Sequence, residues 1–136
     1  IQHKRMPEQQ KTILLVEDDQ FIRELCYNAI NRDETLKNVK VETAETGNLA
    51  IKKLNALSSK LSLVLLDIIL PDKNGYEILE FMKNDNSLKN IPVVVLSNLG
   101  QDEEIQKAKA LGARDFMIKA QSDIDEIVAK IKQYLI

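Results

Sequence analysis

Glu17, Asp18 and Asp19 stand in a row, Asp67 is set among apolar neighbours, Ser97 and Asn98 adjoin, and Lys119 lies in the last fifth of the chain. Each group comes at the end of an apolar run: TILLV before the acidic triplet, LSLVLL before Asp67, IPVVVL before Ser97 and FMI before Lys119. If those runs are strands of one parallel sheet, all these side chains meet at its carboxyl edge, where open α/β sheets gather their ligands. Acids crowded there raise one another's pKa unless a cation neutralises them. Oxygen donors without His or Cys suit Mg²⁺ or Mn²⁺ rather than zinc. Beside such an ion a carboxylate can attack phosphorus and form an acyl phosphate, while a lysine and a hydroxyl bind the phosphoryl oxygens. Asp67 is the best-placed nucleophile, with Ser97 and Lys119 as its helpers.

That placement requires a regular alternation of elements, and the hydrophobic pattern supplies one. Strands are expected at Thr12 to Val16, Val39 to Thr43, Leu61 to Leu66, Ile91 to Leu96 and Ala113 to Ile118. The third and fourth are apolar almost throughout, as a strand covered on both faces must be. Between and after them, helical spacing runs through Gln20 to Asn31, Thr46 to Leu57, Gly75 to Lys83, Asp102 to Leu111 and Asp123 to Leu135. Crossovers between parallel strands are right-handed and place helices on both faces. The expected fold is therefore α/β, a three-layer doubly wound (flavodoxin-like) domain with five helices around a five-stranded parallel sheet.

At 136 residues, 44% hydrophobic and 29% charged, the chain suffices for one ordinary core. It divides into a polar tail over residues 1–10 and one domain over 11–136. A net charge of -2, with Lys and Arg scattered among the acids, disfavours direct nucleic-acid binding. No apolar run approaches the ~20 residues of a membrane span, and the polar start lacks a signal peptide's apolar centre. The single cysteine, Cys26, shares a helical stripe with Ile22, Leu25, Ala29 and Ile30 and is expected to pack inward. A reducing cytoplasm is the expected home.

Five short motifs then fall in register: Val16-Glu17-Asp18-Asp19, Leu66-Asp67-Ile68-Ile69-Leu70-Pro71, Asn74-Gly75, Leu96-Ser97 and Phe116-Met117-Ile118-Lys119. Jointly they resemble the signature of bacterial two-component response-regulator receivers of the CheY-like family, over about Lys11 to Leu135. The resemblance implies strand order 2-1-3-4-5 and a switch phosphorylated on Asp67 by a histidine kinase or phosphotransfer protein. It implies Mg²⁺ held by Glu17, Asp18, Asp67 and the backbone carbonyl of Ile69. Asp19 is more simply a helix-start residue. Ser97 matches the hydroxyl that moves to the phosphoryl group, and Phe116 the aromatic that follows it. Lys119 would pair with the acids first and with the phosphoryl oxygens later. The fourth helix, fifth strand and fifth helix would form the output face, for a partner or for homodimerisation. Such a protein is no enzyme beyond supporting its own phosphorylation and dephosphorylation.

Departures from the family pattern are also visible. Ala120 follows Lys119 where most relatives have a cis proline, so the Lys119 loop is expected to be arranged differently. Asn98 stands where a smaller residue is usual, beside the phosphoryl entry path. Ile69 and Leu99 are apolar where some relatives have side chains that orient an attacking water, which implies a long-lived phosphoryl state. Two rival readings stay open. One is a receiver fold that binds a partner without phosphorylation. The other is a Mg²⁺-dependent phosphatase of the haloacid-dehalogenase type, although that would want a second Asp where Ile69 stands.

Overall fold

The computed structural model describes residues 10–136, so nine of the ten tail residues lie outside it. Strands β1 (Lys11–Val16), β2 (Val39–Ala44), β3 (Leu61–Leu66), β4 (Val93–Ser97) and β5 (Asp115–Ile118) form one parallel sheet in the order 2-1-3-4-5. Helices α1 (Gln20–Arg32), α2 (Gly47–Leu57), α3 (Gly75–Lys83), α4 (Asp102–Ala110) and α5 (Ile124–Leu135) cross between and after them.

The apolar strands explain the layers. Alternate residues of β1 and β3 feed opposite sides: Leu14, Val16, Val64 and Leu66 join α2, α3 and α4 in one core, while Ile13, Leu15, Leu63 and Leu65 join α1 and α5 in the other. A strand packed on both faces must be apolar along its covered length, and Ile13 to Val16 and Leu63 to Leu66 are.

Helix starts follow side-chain caps. Asp19, Thr46, Asn74 and Asp123 each accept a hydrogen bond from a first-turn N–H, at Ile22, Leu49, Glu77 and Glu126. Gly112, at φ 107, ends the turn after α4 in a conformation that suits glycine.

Some boundaries differ from the hydrophobic pattern. The fourth strand starts at Val93 rather than Ile91, because Pro92 has no N–H to give the ladder and instead accepts from Val64 N at 3.0 Å. The fifth begins at Asp115 rather than Ala113, since Ala113 N closes the end of α4 on the Ala108 carbonyl. Leu25, placed in an inward stripe by its spacing, is 37% exposed at the margin of that stripe. Glu34–Leu36 form a short 3₁₀ turn that pattern reading does not reveal, built on Asp33 accepting from Thr35.

Candidate functional site at the carboxyl edge

The sheet ladder continues one residue past the ends of β1 and β3 and so fixes two acids. Glu17 N donates to the Ala44 carbonyl at 2.9 Å, and Asp67 N donates to the Val16 carbonyl at 3.0 Å. Both side chains are buried, while Asp18 is exposed. A carboxylate oxygen from each of Glu17, Asp18 and Asp67 lies within 4.8 Å of the others. Asp19 is turned away to cap α1, as its position suggested, accepting from Ile22 N at 3.1 Å.

On the other side, β4 and β5 pair Ser97 with Ile118, which brings Lys119 to the sheet edge immediately beyond that pair. Its ammonium lies 2.8 Å from Asp67 Oδ2 and pairs closely with Glu17 Oε1. The Lys119 loop is a 3₁₀ turn over Lys119–Gln121, and no cis peptide occurs among the described residues. The missing proline therefore leaves Lys119 within reach of the acids.

Electrostatics match this crowding. Burial pushes the Glu17 carboxyl up to about 7; Lys119 opposes that shift and the charge of Asp67 adds to it. Burial alone would lower the Lys119 pKa, but hydrogen bonds to Asp67 and Glu17 outweigh it and hold the group above its ordinary value. With all three carboxylates ionised, they and the one ammonium leave two negative charges, the charge a divalent cation would neutralise. All donors are carboxylate oxygens, a set that suits a hard ion. The residues fit a divalent metal.

The remaining positions surround this centre. Ser97 is fully buried, and its Oγ accepts from Leu99 N at 3.4 Å. Asn98 is exposed, Leu99 is half-buried against the α2–α4 side, and Ile69 is 56% exposed with its N donating to Asp67 Oδ1 at 3.2 Å. Phe116 is half-buried against the same core as Leu99.

Sequence reading missed three supporting contacts. Arg23 Nη1 donates to the carbonyls of Glu17 at 3.0 Å and Asp18 at 3.3 Å, tying the acidic turn to α1. Gly75 is required because a Cβ there would lie 2.6 Å from the Asp67 carbonyl oxygen. Asp72 reaches from the β3–α3 loop to α2. Arg23 carried a legible signal, a cation one turn into the helix that follows the acids, and Gly75 stood in the Asn74-Gly75 motif without its contact being readable there. Cys26 is buried as expected, and burial raises its thiol to about 11, so it is an inert packing group.

A doubly wound 2-1-3-4-5 sheet with an acidic cluster and a lysine at its carboxyl edge defines a receiver-type signalling domain. Comparison with known proteins agrees: residues 13–132 match the response regulator receiver domain, and the chain belongs to that family. It is thus a receiver domain of the two-component response regulators, proteins that serve generally as signalling switches and in which phosphorylation and Mg²⁺ binding are general features. A transcriptional regulatory protein, the CpxR homologue of Haemophilus influenzae, is 37% identical over 123 residues. The match covers 90% of this chain and 49% of that protein, so the chain spans about half of that relative. Among solved structures, the phosphorylated cyanobacterial phytochrome response regulator RcpA is 32% identical, with a TM-score of 0.81 over 93% of this chain and 94% of its own. The Mn²⁺-bound form of response regulator Rcp1 is 26% identical, with a TM-score of 0.79 over 92% and 94%. No helix among the described residues is long and apolar enough to cross a membrane.

Proposed function

We propose that this domain is a phosphoryl-accepting switch whose acceptor is Asp67. The observation that carries the reading is the convergence of Glu17, Asp18 and Asp67 with the Lys119 ammonium bonded to Asp67 Oδ2 at 2.8 Å. Glu17, Asp18, Asp67 and the Ile69 carbonyl would hold Mg²⁺, with Mn²⁺ as a substitute. When bound, the ion neutralises the acids and draws negative charge from a phosphoryl oxygen.

A carboxylate oxygen of Asp67 attacks the phosphorus of a phosphohistidine on a histidine kinase or phosphotransfer protein. The P–N bond breaks, its electron pair stays on the imidazole, and that ring takes a proton. Lys119 moves its charge-assisted contact from the acids to a phosphoryl oxygen. Ser97, buried beside the strand end, donates its hydroxyl to another, and Phe116 follows into the space released. Close to two added negative charges suffice to shift a two-state surface by a few kcal/mol. The surface is α4, β5 and α5, offered to an effector or to a second copy; the domain acts in the cytoplasm and has no catalytic turnover of its own.

Incubation with Mg²⁺ and a small-molecule phosphodonor, followed by intact-mass spectrometry, tests this. One added phosphoryl group is expected, and none in Asp67→Asn or without Mg²⁺. If none forms on the parent protein, constitutive partner binding becomes the better account.

A further inference from the structure

The loop between Asp67 and α3 is held at both ends and in the middle, and the middle attachment is unusual. At its ends, Gly75 N donates to the Ile68 carbonyl at 2.8 Å, and Gly75 packs against Asp67. In the middle, the loop supplies the first turn of α2 with partners it cannot find for itself. A helix leaves its first N–H groups without intrahelical acceptors. In α2, Leu49 N is satisfied by its own cap, Thr46. Gly47 N donates to the Pro71 carbonyl at 3.3 Å, and Asn48 N donates to Asp72 Oδ1 at 3.0 Å. Two of these three donors thus end on the loop.

The fit is close. A Cβ at Gly47 would lie 2.1 Å from the Lys73 carbonyl oxygen. Asp72 has φ 62, the one positive φ of a non-glycine residue among the described residues. Such a conformation persists where neighbours over-determine it, and Asp tolerates it better than most residues. Its carboxylate also accepts from Lys73 N, closing a local turn around the strained position. The Ile69 side chain, by contrast, is exposed.

We propose that Asp72 is a positioning residue for the metal site: by latching the β3–α3 loop onto the first turn of α2 it holds the Ile69 carbonyl where a divalent ion can use it. This rests on the proposed ligand set above. The Asp72 carboxylate accepts from Asn48 N and Lys73 N and has no hydrogen bond with the acids, so it would act only through the loop backbone.

Mn²⁺ affinity, read from the electron paramagnetic resonance of the free ion, tests the latch, with amide hydrogen exchange at Asn48 and thermal unfolding measured on the same samples. Asp72→Ala and Asp72→Gly should weaken Mn²⁺ binding about tenfold, the lower end of what supporting residues around a metal contribute. Both should speed exchange at Asn48. Asp72→Gly keeps the backbone freedom, so its loss isolates the carboxylate. Asp72→Asn keeps an acceptor and the tolerance for positive φ and should stay within about twofold of the parent. Asp33→Ala, which removes a cap and an ion pair at the opposite end of the sheet, should lower stability and leave Mn²⁺ affinity unchanged. If Asp72→Ala and Asp72→Gly bind Mn²⁺ like Asp33→Ala does, Asp72 is a helix cap alone and the proposal is overturned. If the parent binds no Mn²⁺, the proposed function itself fails and takes this inference with it.

Discussion

Replacing Lys119 by Met removes the one cation shared by two buried carboxylates and keeps most of the side chain's apolar volume. In the parent, the Lys119 side chain is 13% exposed, and those of Glu17 and Asp67 are 2% and 7% exposed. At an effective dielectric of about 20, unit charges about 3 Å apart attract by roughly 5 kcal/mol. Desolvation of the ammonium cancels much of that, and deleting one partner of a buried pair costs about 3–5 kcal/mol. Glu17 limits the loss, because a carboxyl already raised to about 7 can take up a proton instead of staying charged. We expect a loss of about 3 kcal/mol near neutral pH without metal, or roughly 10 °C in Tm.

The pH dependence has a fixed sign. The folded-state pKa of Glu17 lies above its ordinary value of 4.5, so between the two the native state binds more protons than the unfolded chain. Stability from this group therefore falls as pH rises from the ordinary value through about 7, and more steeply in Lys119→Met than in the parent. Urea unfolding across that window in chelator should show the variant approaching the parent at the acid end. Saturating Mg²⁺ should close the gap at neutral pH, by supplying the missing positive charge. A variant as stable as the parent in neutral chelator, or a deficit indifferent to both pH and Mg²⁺, would refute the reasoning.

Other perturbations reach different parts of the molecule. Ile69→Asn with Leu99→Glu should speed loss of the phosphoryl group about tenfold, equal to ~1.4 kcal/mol of barrier, followed by intact mass over time; unchanged decay would show that apolar screening does not set the lifetime. Gly47→Ala drives a Cβ into the Lys73 backbone and should cost about 2–3 kcal/mol in urea unfolding. Asp33 is held at about 2 first by its hydrogen bond from Lys132 and then by Thr35. Its contribution is present above the ordinary value of 3.8 and lost as pH falls through about 2, so Asp33→Asn should flatten the acid limb of the stability curve.

The fold was legible because alternating buried strands and amphipathic helices leave few topologies open, and the right-handed crossover rule selects among them. Glu17, Asp18, Asp67, Ser97 and Lys119 were legible because each stands where a strand ends, and parallel strands bring such ends to one edge. Lys119 has meaning only through that register. The latch was not legible: Asn48 and Asp72 are 24 positions apart, and nothing in either side chain's type announces the other. Leu25 shows a different limit, since periodicity gives the direction of a helix stripe but not how far the sheet beneath it extends.

Helix α4 buries only Ala108, and what ties it to α3 is peripheral. The Tyr76 hydroxyl donates to the Glu104 carbonyl at 3.4 Å, Lys107 sits 4.2 Å from the Tyr76 ring centroid, and Lys83 donates to the Ala110 carbonyl at 3.3 Å. Such a segment belongs to the low end of the local-unfolding scale. Under native conditions it would open many times for each global unfolding event, exposing its amides to exchange and its backbone to proteases while the sheet stays closed. A partner that docked on this surface would therefore meet an ensemble of frayed and formed helices, and one that favoured either form would shift the balance without melting the core.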